Sequence, residues 1–239
     1  GLSFFLLLPI MDQNMQDNNP EEDFLLEKLD VNESEGRKKE DKTYEPENLL
    51  TFEEIKSLDE KYVLNTYARM PVCFAYGSGE FLYDQKGQEY IDFLSGIAVT
   101  AVGHAHADLV DALTHQADRL WHTSNLFYNQ QQALLARGLI DISFPGKVFF
   151  CNSGTEANEA AIKLMRAHGE KTGKKTILAL KNSFHGRTFG AMSITGQSKS
   201  HDEFGSLMAG VKIVEPNDVA GLEKACDKDV AGIIMELVL

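Results

Sequence analysis

Residues 152–163 read Asn152-Ser153-Gly154-Thr155-Glu156-Ala157-Asn158-Glu159-Ala160-Ala161-Ile162-Lys163, and this stretch decides the fold. The run before it, residues 147–151, is short and mostly apolar, as in a β-strand. Small and apolar residues then recur with the spacing of a helix. They are Ala157, Ala160, Ala161, Leu164 and Met165. The sequence therefore predicts a strand, a turn of small residues and a helix.

The predicted turn places Ser153, Gly154 and Thr155 at the start of the helix. Backbone N–H groups lack partners there, and the helix dipole is positive. A phosphate group fits such a site, because Gly154 lets the backbone approach closely and the two hydroxyls add donors. The same residues followed by Glu156 also form an ordinary helix cap, which binds nothing. The stretch matches neither the Walker loop nor the three-glycine dinucleotide fingerprint.

Composition narrows the class of protein. The chain has 239 residues, is 43% hydrophobic and 25% charged, and suits one domain or a domain and a half. Its formal net charge of -13 argues against a nucleic-acid partner. The three cysteines have neither zinc-site nor disulfide-framework spacing, so we expect a reducing cytoplasm. No apolar run is long enough to cross a bilayer, and no membrane partner is predicted.

The first 50 residues differ from the rest. Residues 11–50 hold thirteen acidic and five basic side chains with few large apolar ones, which predicts a disordered acidic tail. Residues 24–29 could instead form a short docking helix. Residues 1–10 are apolar but lack the basic start and cleavage site of a signal peptide, so we interpret them as translation upstream of Met11.

Alternating helices and strands predict an α/β fold from residue 51 onward. We expect a first helix at 52–62, a hairpin over 81–93, a helix from Ala107 that includes Leu120 and Trp121, and a helix over 130–142. Further strands are expected at 176–180, 211–214 and 230–235, with a helix at 219–226. Such alternation is typical of a largely parallel sheet covered on both faces. Ligands of these sheets lie beyond the carboxyl ends of the strands.

Three strand ends carry candidate site residues. Phe184 could stack on a flat ring or pack in the core, and Arg187 could bind a carboxylate with its two-pronged guanidinium or form a surface ion pair. His185 could be an acid or base, or a hydrogen-bonding neighbour. Glu236 ends an apolar strand, where a carboxylate needs a partner. Together with the turn at residue 153, these groups favour a pocket for a phosphorylated cofactor and an anionic substrate.

A pair of histidines raises the question of a metal. His104 and His106 stand two residues apart in a glycine-punctuated loop. No carboxylate and cysteine cluster stands beside them in the sequence, so we predict no metal site.

Seven parts of the sequence resemble the class III aminotransferases, which are pyridoxal-phosphate enzymes of fold type I. The parts are residues 67–72, 95–99, 103–106, 124–128, 152–163, 184–188 and Glu236. The resemblance runs from about residue 52 to 239. It implies that residues 51–105 are the N-terminal segment of the small domain, with the hairpin. Residues 106–239 would then be an incomplete cofactor-binding large domain with a mainly parallel sheet.

The resemblance also implies roles for residues. Ser153, Gly154 and Thr155 would hold the phosphate of pyridoxal 5'-phosphate, and Phe184 would stack on its ring. Arg187 would bind the substrate α-carboxylate, with Tyr67, Ile97 and Glu236 on the substrate side. Glu236 would act in substrate choice by gating an arginine. Residues 124–128 and the region of Gly96 would lie near a homodimer interface.

Within the family, the resemblance is strongest to the acetylornithine branch. It implies transfer of the terminal amino group of N2-acetylornithine to 2-oxoglutarate, in arginine synthesis. Ile97 stands where ornithine δ-aminotransferases have an aromatic residue, and this favours a donor other than free ornithine. Succinylornithine, succinyldiaminopimelate and 4-aminobutyrate remain alternative donors. Ala107 replaces the family's usual proline, and we expect little effect at a helix start.

The resemblance further implies that the Schiff-base lysine of the family, and the aspartate that pairs with the cofactor's ring nitrogen, follow the position of Glu236. Lys163 and Lys181 do not match that lysine, so no catalytic residue is assigned here. We therefore expect this chain to be the N-terminal part of an aminotransferase, inactive by itself and prone to aggregate through exposed sheet edges. A non-catalytic truncated product is the alternative.

Overall fold

The computed structural model describes residues 4–9, 50–197 and 204–238. The described residues form two compact units. One contains residues 50–124, and the other contains residues 4–9 together with those from 125 onward. The predicted disordered tail and the possible docking helix at 24–29 lie, apart from residues 4–9 and 50, outside the described residues.

The unit of residues 50–124 begins with helix α1 (Phe52–Tyr62), as the sequence predicts. Thr51 caps it, because its hydroxyl accepts from the backbone N–H of Glu54 while the Glu54 carboxylate accepts from that of Thr51. This reciprocal pair satisfies two N–H groups that the helix itself leaves without acceptors.

An antiparallel sheet of three strands follows, in the order β2 (Phe74–Ser78), β3 (Phe81–Asp84) and β4 (Glu89–Ile91). Strands β3 and β4 confirm the predicted hairpin. The Asp84 carboxylate closes its turn by accepting from the backbone N–H groups of Lys86 and Gln88, at 2.8 and 2.9 Å.

Two helical segments complete this unit. α2 (Ser95–Ala98) is a single left-handed turn, since φ is positive at all four residues. α3 (Ala107–Ala117) begins where the sequence predicts but ends earlier. The inclusion of Leu120 and Trp121 was wrong: the chain turns at Asp118, and the Trp121 indole donates back to the carbonyl of Ala117 at 2.6 Å.

The second unit confirms the predicted alternation. Its elements are α4 (Gln130–Asp141), β5 (Gly146–Cys151), α5 (Gly154–Thr172), β6 (Thr176–Leu180), α6 (Phe189–Ser193), β7 (Val211–Val214), α7 (Val219–Ala225) and β8 (Val230–Ile234). Strands β7, β6 and β8 pair in that order, and both pairings are parallel. Helix α5 packs on this sheet through Ile162, which is buried with Ile177, Ala179 and Ile194. The carboxyl ends of β6 and β8 therefore point the same way.

Strand β5 is paired differently. It runs antiparallel to β1 (Phe4–Pro9), with Phe4 opposite Cys151 and Pro9 opposite Gly146. From their sequence we interpret residues 1–10 as translation upstream of Met11, whereas the structure gives residues 4–9 a strand. Alternation of strands and helices along a sequence predicts parallel pairing but does not determine which edge each strand occupies.

Within the part of the chain that the structure describes, no helix combines the length and the apolar character needed to cross a bilayer.

Candidate active site

The start of α5 is the centre of the site. Ser153 is the N-cap residue, with extended backbone (φ -155°), and its hydroxyl accepts from the backbone N–H of Glu156 at 3.3 Å. The Glu156 carboxylate in turn accepts from the backbone N–H of Asn152 at 2.6 Å. The hydrogen bonds from Asn152, its side chain first, hold the pKa of Glu156 below its usual value. The capping arrangement offered as one alternative is thus present.

Capping leaves the first backbone N–H groups of α5 available. Those of Gly154 and Thr155 lie in the first turn, where the helix supplies no acceptor for them. The helix has 19 residues, so its dipole is fully developed at this end. A cap and an anion site are therefore compatible here.

The loop that follows β6 lies against this helix start. The hydroxyls of Thr155 and Thr188 are 3.1 Å apart, and the Asn158 side-chain amide donates to the carbonyl of His185 at 2.6 Å. Gly186 fits closely, because a Cβ built on it would lie 2.1 Å from the Thr155 hydroxyl oxygen. Gly186 also has a φ of +137°, a backbone conformation that residues other than glycine rarely adopt. Helix α5 and this loop are thus fixed to each other by side chains of α5.

The end of β8 is fixed to the same loop. One oxygen of the Glu236 carboxylate accepts from the backbone N–H of Phe184 at 2.7 Å. The Phe184 ring is 44% exposed, so it is not the core residue that one interpretation of the sequence allowed. The Arg187 guanidinium lies over this ring, 5.5 Å from its centre, in a cation–π contact. The second unit therefore brings together the three strand ends that the sequence singled out.

His185 is the buried polar group of the site. Its side chain is 6% exposed, and its Nε2 atom has no hydrogen-bond partner among the described residues. Burial lowers the pKa of His185, and the nearby Glu236 carboxylate opposes this effect only in part. Burial thus favours the neutral imidazole, and one of its nitrogens is available to a partner that the described residues do not supply.

Two further predicted site residues lie in the unit of residues 50–124. Tyr67 is 58% exposed and Ile97 is 81% exposed. Ile97 sits in the left-handed turn α2, at φ 59° and ψ 60°, a strained conformation for a β-branched residue.

Asp92 holds this strained turn in place. One of its carboxylate oxygens accepts from the backbone N–H groups of Leu94 and Ser95, at 3.0 and 2.8 Å. The other lies 2.8 Å from Nε2 of His104. These contacts, that with His104 first, lower the pKa of Asp92. His104, one of the two histidines considered for a metal, thus pairs with a carboxylate. No cluster of three His, Cys, Asp or Glu side chains in the described ranges is placed to bind a metal.

The sequence did not assign roles to Asn158, Glu159, Thr188 or Asp92. A signal exists for three residues of α5: Thr155, Asn158 and Glu159 have the spacing i, i+3, i+4, and the buried Ile162 continues it at i+7. They share one helix face, which the structure turns toward the loop after β6. Polar side chains that continue an apolar face toward a helix N-terminus could have been predicted to make tertiary hydrogen bonds.

Comparison with known proteins defines the family of this site. Residues 62–239 match the family model of the class III aminotransferases, and the chain belongs to this family. Among curated relatives, it is 49% identical over 183 residues to the acetylornithine aminotransferase of Caldanaerobacter subterraneus subsp. tengcongensis, an alignment that covers 75% of this chain and 47% of the relative. The acetylornithine aminotransferase of Aquifex aeolicus is 47% identical, in an alignment that covers 74% of this chain and 48% of that protein. The chain thus spans about half the length of the curated relatives it matches.

Solved structures agree on the fold. The ornithine aminotransferase of Toxoplasma gondii superimposes with a TM-score of 0.74 at 30% identity, over 79% of this chain and 46% of that one. The taurine:2-oxoglutarate aminotransferase of Bifidobacterium kashiwanohense, crystallised with pyridoxal phosphate and glutamate, gives a TM-score of 0.70 at 27% identity, over 80% and 49%. The fold is that of the fold type I aminotransferases, as the sequence resemblance implies.

Proposed function

We propose that the protein containing this chain is a pyridoxal-phosphate-dependent aminotransferase. We propose further that it transfers the terminal amino group of N2-acetylornithine to 2-oxoglutarate. The observation that carries the proposal is the joining of three strand ends into one site within a family whose matched relatives bear this enzyme name.

The residues present fit the cofactor. The phosphate would be held at the start of α5 by the backbone N–H groups of Gly154 and Thr155, with Ser153 fixing the cap. The exposed ring of Phe184 would stack on the pyridine ring. His185 follows Phe184 in the chain, and its buried Nε2 atom has no hydrogen-bond partner among the described residues. Such an atom is of the kind that a polar ligand or an ordered water satisfies.

When bound, the cofactor supplies an aldehyde that accepts the amino group and an electron-withdrawing ring that stabilises negative charge at the donor carbon. The side chains of this chain bind and orient. Arg187 would hold the substrate α-carboxylate by two parallel N–H···O bonds, and its guanidinium lies 5.5 Å from the centre of the Phe184 ring, close to the residue proposed to stack on the cofactor. Glu236 keeps the Phe184 backbone in place through its 2.7 Å hydrogen bond.

Donor choice is proposed to involve Ile97 and Tyr67. Ile97 is exposed, and the left-handed backbone of its turn sets the direction of its Cα–Cβ bond. An apolar side chain there favours a donor whose second amine is acylated over free ornithine, whose charged amine would need a polar partner. The match to an ornithine aminotransferase structure makes ornithine the main competing donor.

The proposal includes a cytoplasmic homodimer with an amino donor and 2-oxoglutarate as small-molecule partners. The three cysteines, all free, agree with a reducing compartment.

The test is a comparison of amino donors with the purified, cofactor-loaded protein and 2-oxoglutarate. We expect kcat/KM for N2-acetylornithine to exceed that for ornithine and 4-aminobutyrate by about tenfold or more. Ile97→Tyr should lower the ratio of kcat/KM for N2-acetylornithine to kcat/KM for ornithine, whereas Ile97→Val should preserve this ratio. Equal or greater turnover of ornithine or 4-aminobutyrate would refute the proposed donor. Intact mass after borohydride reduction tests the cofactor separately, because a reduced adduct is expected only if the cofactor is carried on a lysine.

A further inference from the structure

Three side chains form a hydrogen-bonded chain behind the start of α5. The hydroxyl of Thr188 donates to one oxygen of the Glu159 carboxylate at 2.5 Å, and the hydroxyls of Thr188 and Thr155 are 3.1 Å apart. Thr155 and Glu159 stand one turn apart on α5, and Thr188 is the N-cap residue of α6. We call this the Thr155–Thr188–Glu159 chain.

The direction of each hydrogen bond follows from the number of protons. An ionised carboxylate only accepts, so the single hydroxyl proton of Thr188 goes to Glu159. The Thr188 oxygen also accepts from the backbone N–H of Ala191, at 3.4 Å. Thr188 can therefore contact Thr155 only as an acceptor, and the hydroxyl proton of Thr155 points to Thr188.

Ser153 is committed in the same way. Its hydroxyl donates to the Glu156 carboxylate and accepts from the Glu156 backbone N–H, each at 3.3 Å. Neither hydroxyl proton at the start of α5 is therefore directed at an incoming anion. The donors that remain are backbone N–H groups of the first turn, which belong to Gly154 and Thr155.

Close packing keeps the Thr155–Thr188–Glu159 chain in this arrangement. A Cβ on Gly186 would lie 2.1 Å from the Thr155 hydroxyl oxygen, and one on Gly190 would lie 2.5 Å from a Glu159 carboxylate oxygen. The Glu159 carboxylate also accepts from the backbone N–H of Ala191 at 3.3 Å. Both ends of the chain are thus confined by backbone.

We infer that Thr188 and Glu159 are positioning residues for the phosphate site. They hold the Thr155 hydroxyl proton away from the phosphate and fix the first turn of α5, so that backbone N–H groups bind the anion. The inference rests on the proposed cofactor and deepens it, because it assigns the phosphate contacts to the backbone and the side-chain hydroxyls to its support.

The test is a double-mutant cycle on the cofactor-depleted protein. Pyridoxal 5'-phosphate and pyridoxal are each titrated, and the ratio of their dissociation constants reports the phosphate contribution alone. We expect Thr155→Val, Thr188→Val and the double variant each to lower the preference for the phosphorylated form by about the same factor, roughly tenfold, because each of them breaks the contact between the Thr155 and Thr188 hydroxyls. Thr188→Ser, which keeps the hydroxyl, should restore the preference.

Thr172→Val is the matched control. Thr172 lies at the other end of α5 and donates to the carbonyl of His168 at 2.9 Å, so its loss should leave the ratio unchanged. Additive effects of Thr155→Val and Thr188→Val, or a loss confined to Thr155→Val, would mean that Thr155 donates directly to the phosphate and would overturn the inference. An unsubstituted protein without any preference for the phosphorylated form would overturn the proposed cofactor site itself.

Discussion

The Glu236 carboxylate accepts a hydrogen bond from the backbone N–H of Phe184 at 2.7 Å, across 52 residues of sequence. This bond connects the end of β8 to the loop after β6 and holds the backbone from which the Phe184 ring projects. Sequence resemblance gives Glu236 a role in substrate choice, and the structure commits one of its two carboxylate oxygens to the backbone. These two roles predict different defects when Glu236 is replaced.

Glu236→Ala should weaken cofactor binding by about tenfold, because a backbone N–H loses a charged acceptor and the ring is released. Glu236→Gln keeps an acceptor oxygen and should retain most of the affinity. Titration of the depleted protein with pyridoxal 5'-phosphate measures both. A Glu236→Ala variant with normal cofactor affinity and a raised KM for the amino donor would instead indicate that the substrate role dominates.

The pH dependence of stability should carry a contribution from His185. Burial lowers its folded-state pKa below the unfolded value, so the unfolded chain binds more protons in the interval between the two pKa values. Stability should therefore fall as the pH drops below about 6.5 toward the folded-state pKa. We expect His185→Asn to flatten this part of the curve of unfolding free energy against pH, measured by chemical denaturation.

His168→Asn is the control for that measurement, because His168 is an exposed residue of α5. It should leave the curve unchanged. A His185→Asn curve parallel to that of the unsubstituted protein between pH 7.5 and 5 would contradict the assigned burial effect.

The elements were predictable where the signal was local. α1 and α5 begin at a Thr and a Ser whose hydroxyls cap them, and the carboxylate that completes each cap stands three residues on. Apolar runs located β6 and β8. β6 is the central strand of the parallel sheet and four of its five residues are buried, and every residue of the neighbouring β8 is partly buried.

The site contacts were not predictable, because they join residues distant in sequence. Thr155 meets Thr188 across 33 residues and Asp92 meets His104 across 12. Nothing in a periodic pattern specifies such pairs. The left-handed turn α2 was missed for another reason: only one of its four residues is a glycine. The Asp92 carboxylate supports the turn by accepting from the backbone N–H groups of Leu94 and Ser95.

Ile97→Gly should relieve strain in α2. A β-branched residue at positive φ costs about 1–2 kcal/mol, whereas glycine adopts that conformation freely. Because Ile97 is 81% exposed, little burial is lost. Val63 is the matched control in the same unit, β-branched and partly exposed but at φ -104°. We expect the unfolding free energy of the Ile97→Gly variant to be higher than that of the Val63→Gly variant by about 1–2 kcal/mol. Equal losses would mean that Ile97 carries no strain.

Gly186→Ala should damage both stability and cofactor binding. The added Cβ would lie 2.1 Å from the Thr155 hydroxyl oxygen and 2.9 Å from Cβ of Ala191, and φ of +137° disfavours any side chain. We expect a loss of about 3 kcal/mol in unfolding free energy from strain and overpacking together. The preference for pyridoxal 5'-phosphate over pyridoxal should fall as well, since Thr155 must move.

Gly173→Ala separates the two causes of that loss. Gly173 ends α5 at φ +76°, but nothing lies within 4 Å of the Cβ it would gain. Its substitution should cost only the conformational term, about 1 kcal/mol, and should leave the phosphate preference unchanged. Unfolding free energies and cofactor dissociation constants are measured for the two variants in parallel. The difference between the variants reports the contribution of the contact between Gly186 and Thr155, apart from that of backbone strain. The Gly186→Ala and Gly173→Ala variants could instead lose equal stability and both keep the preference for pyridoxal 5'-phosphate over pyridoxal. That result would show that Thr155 has room to move and that the start of α5 is less confined than its geometry indicates.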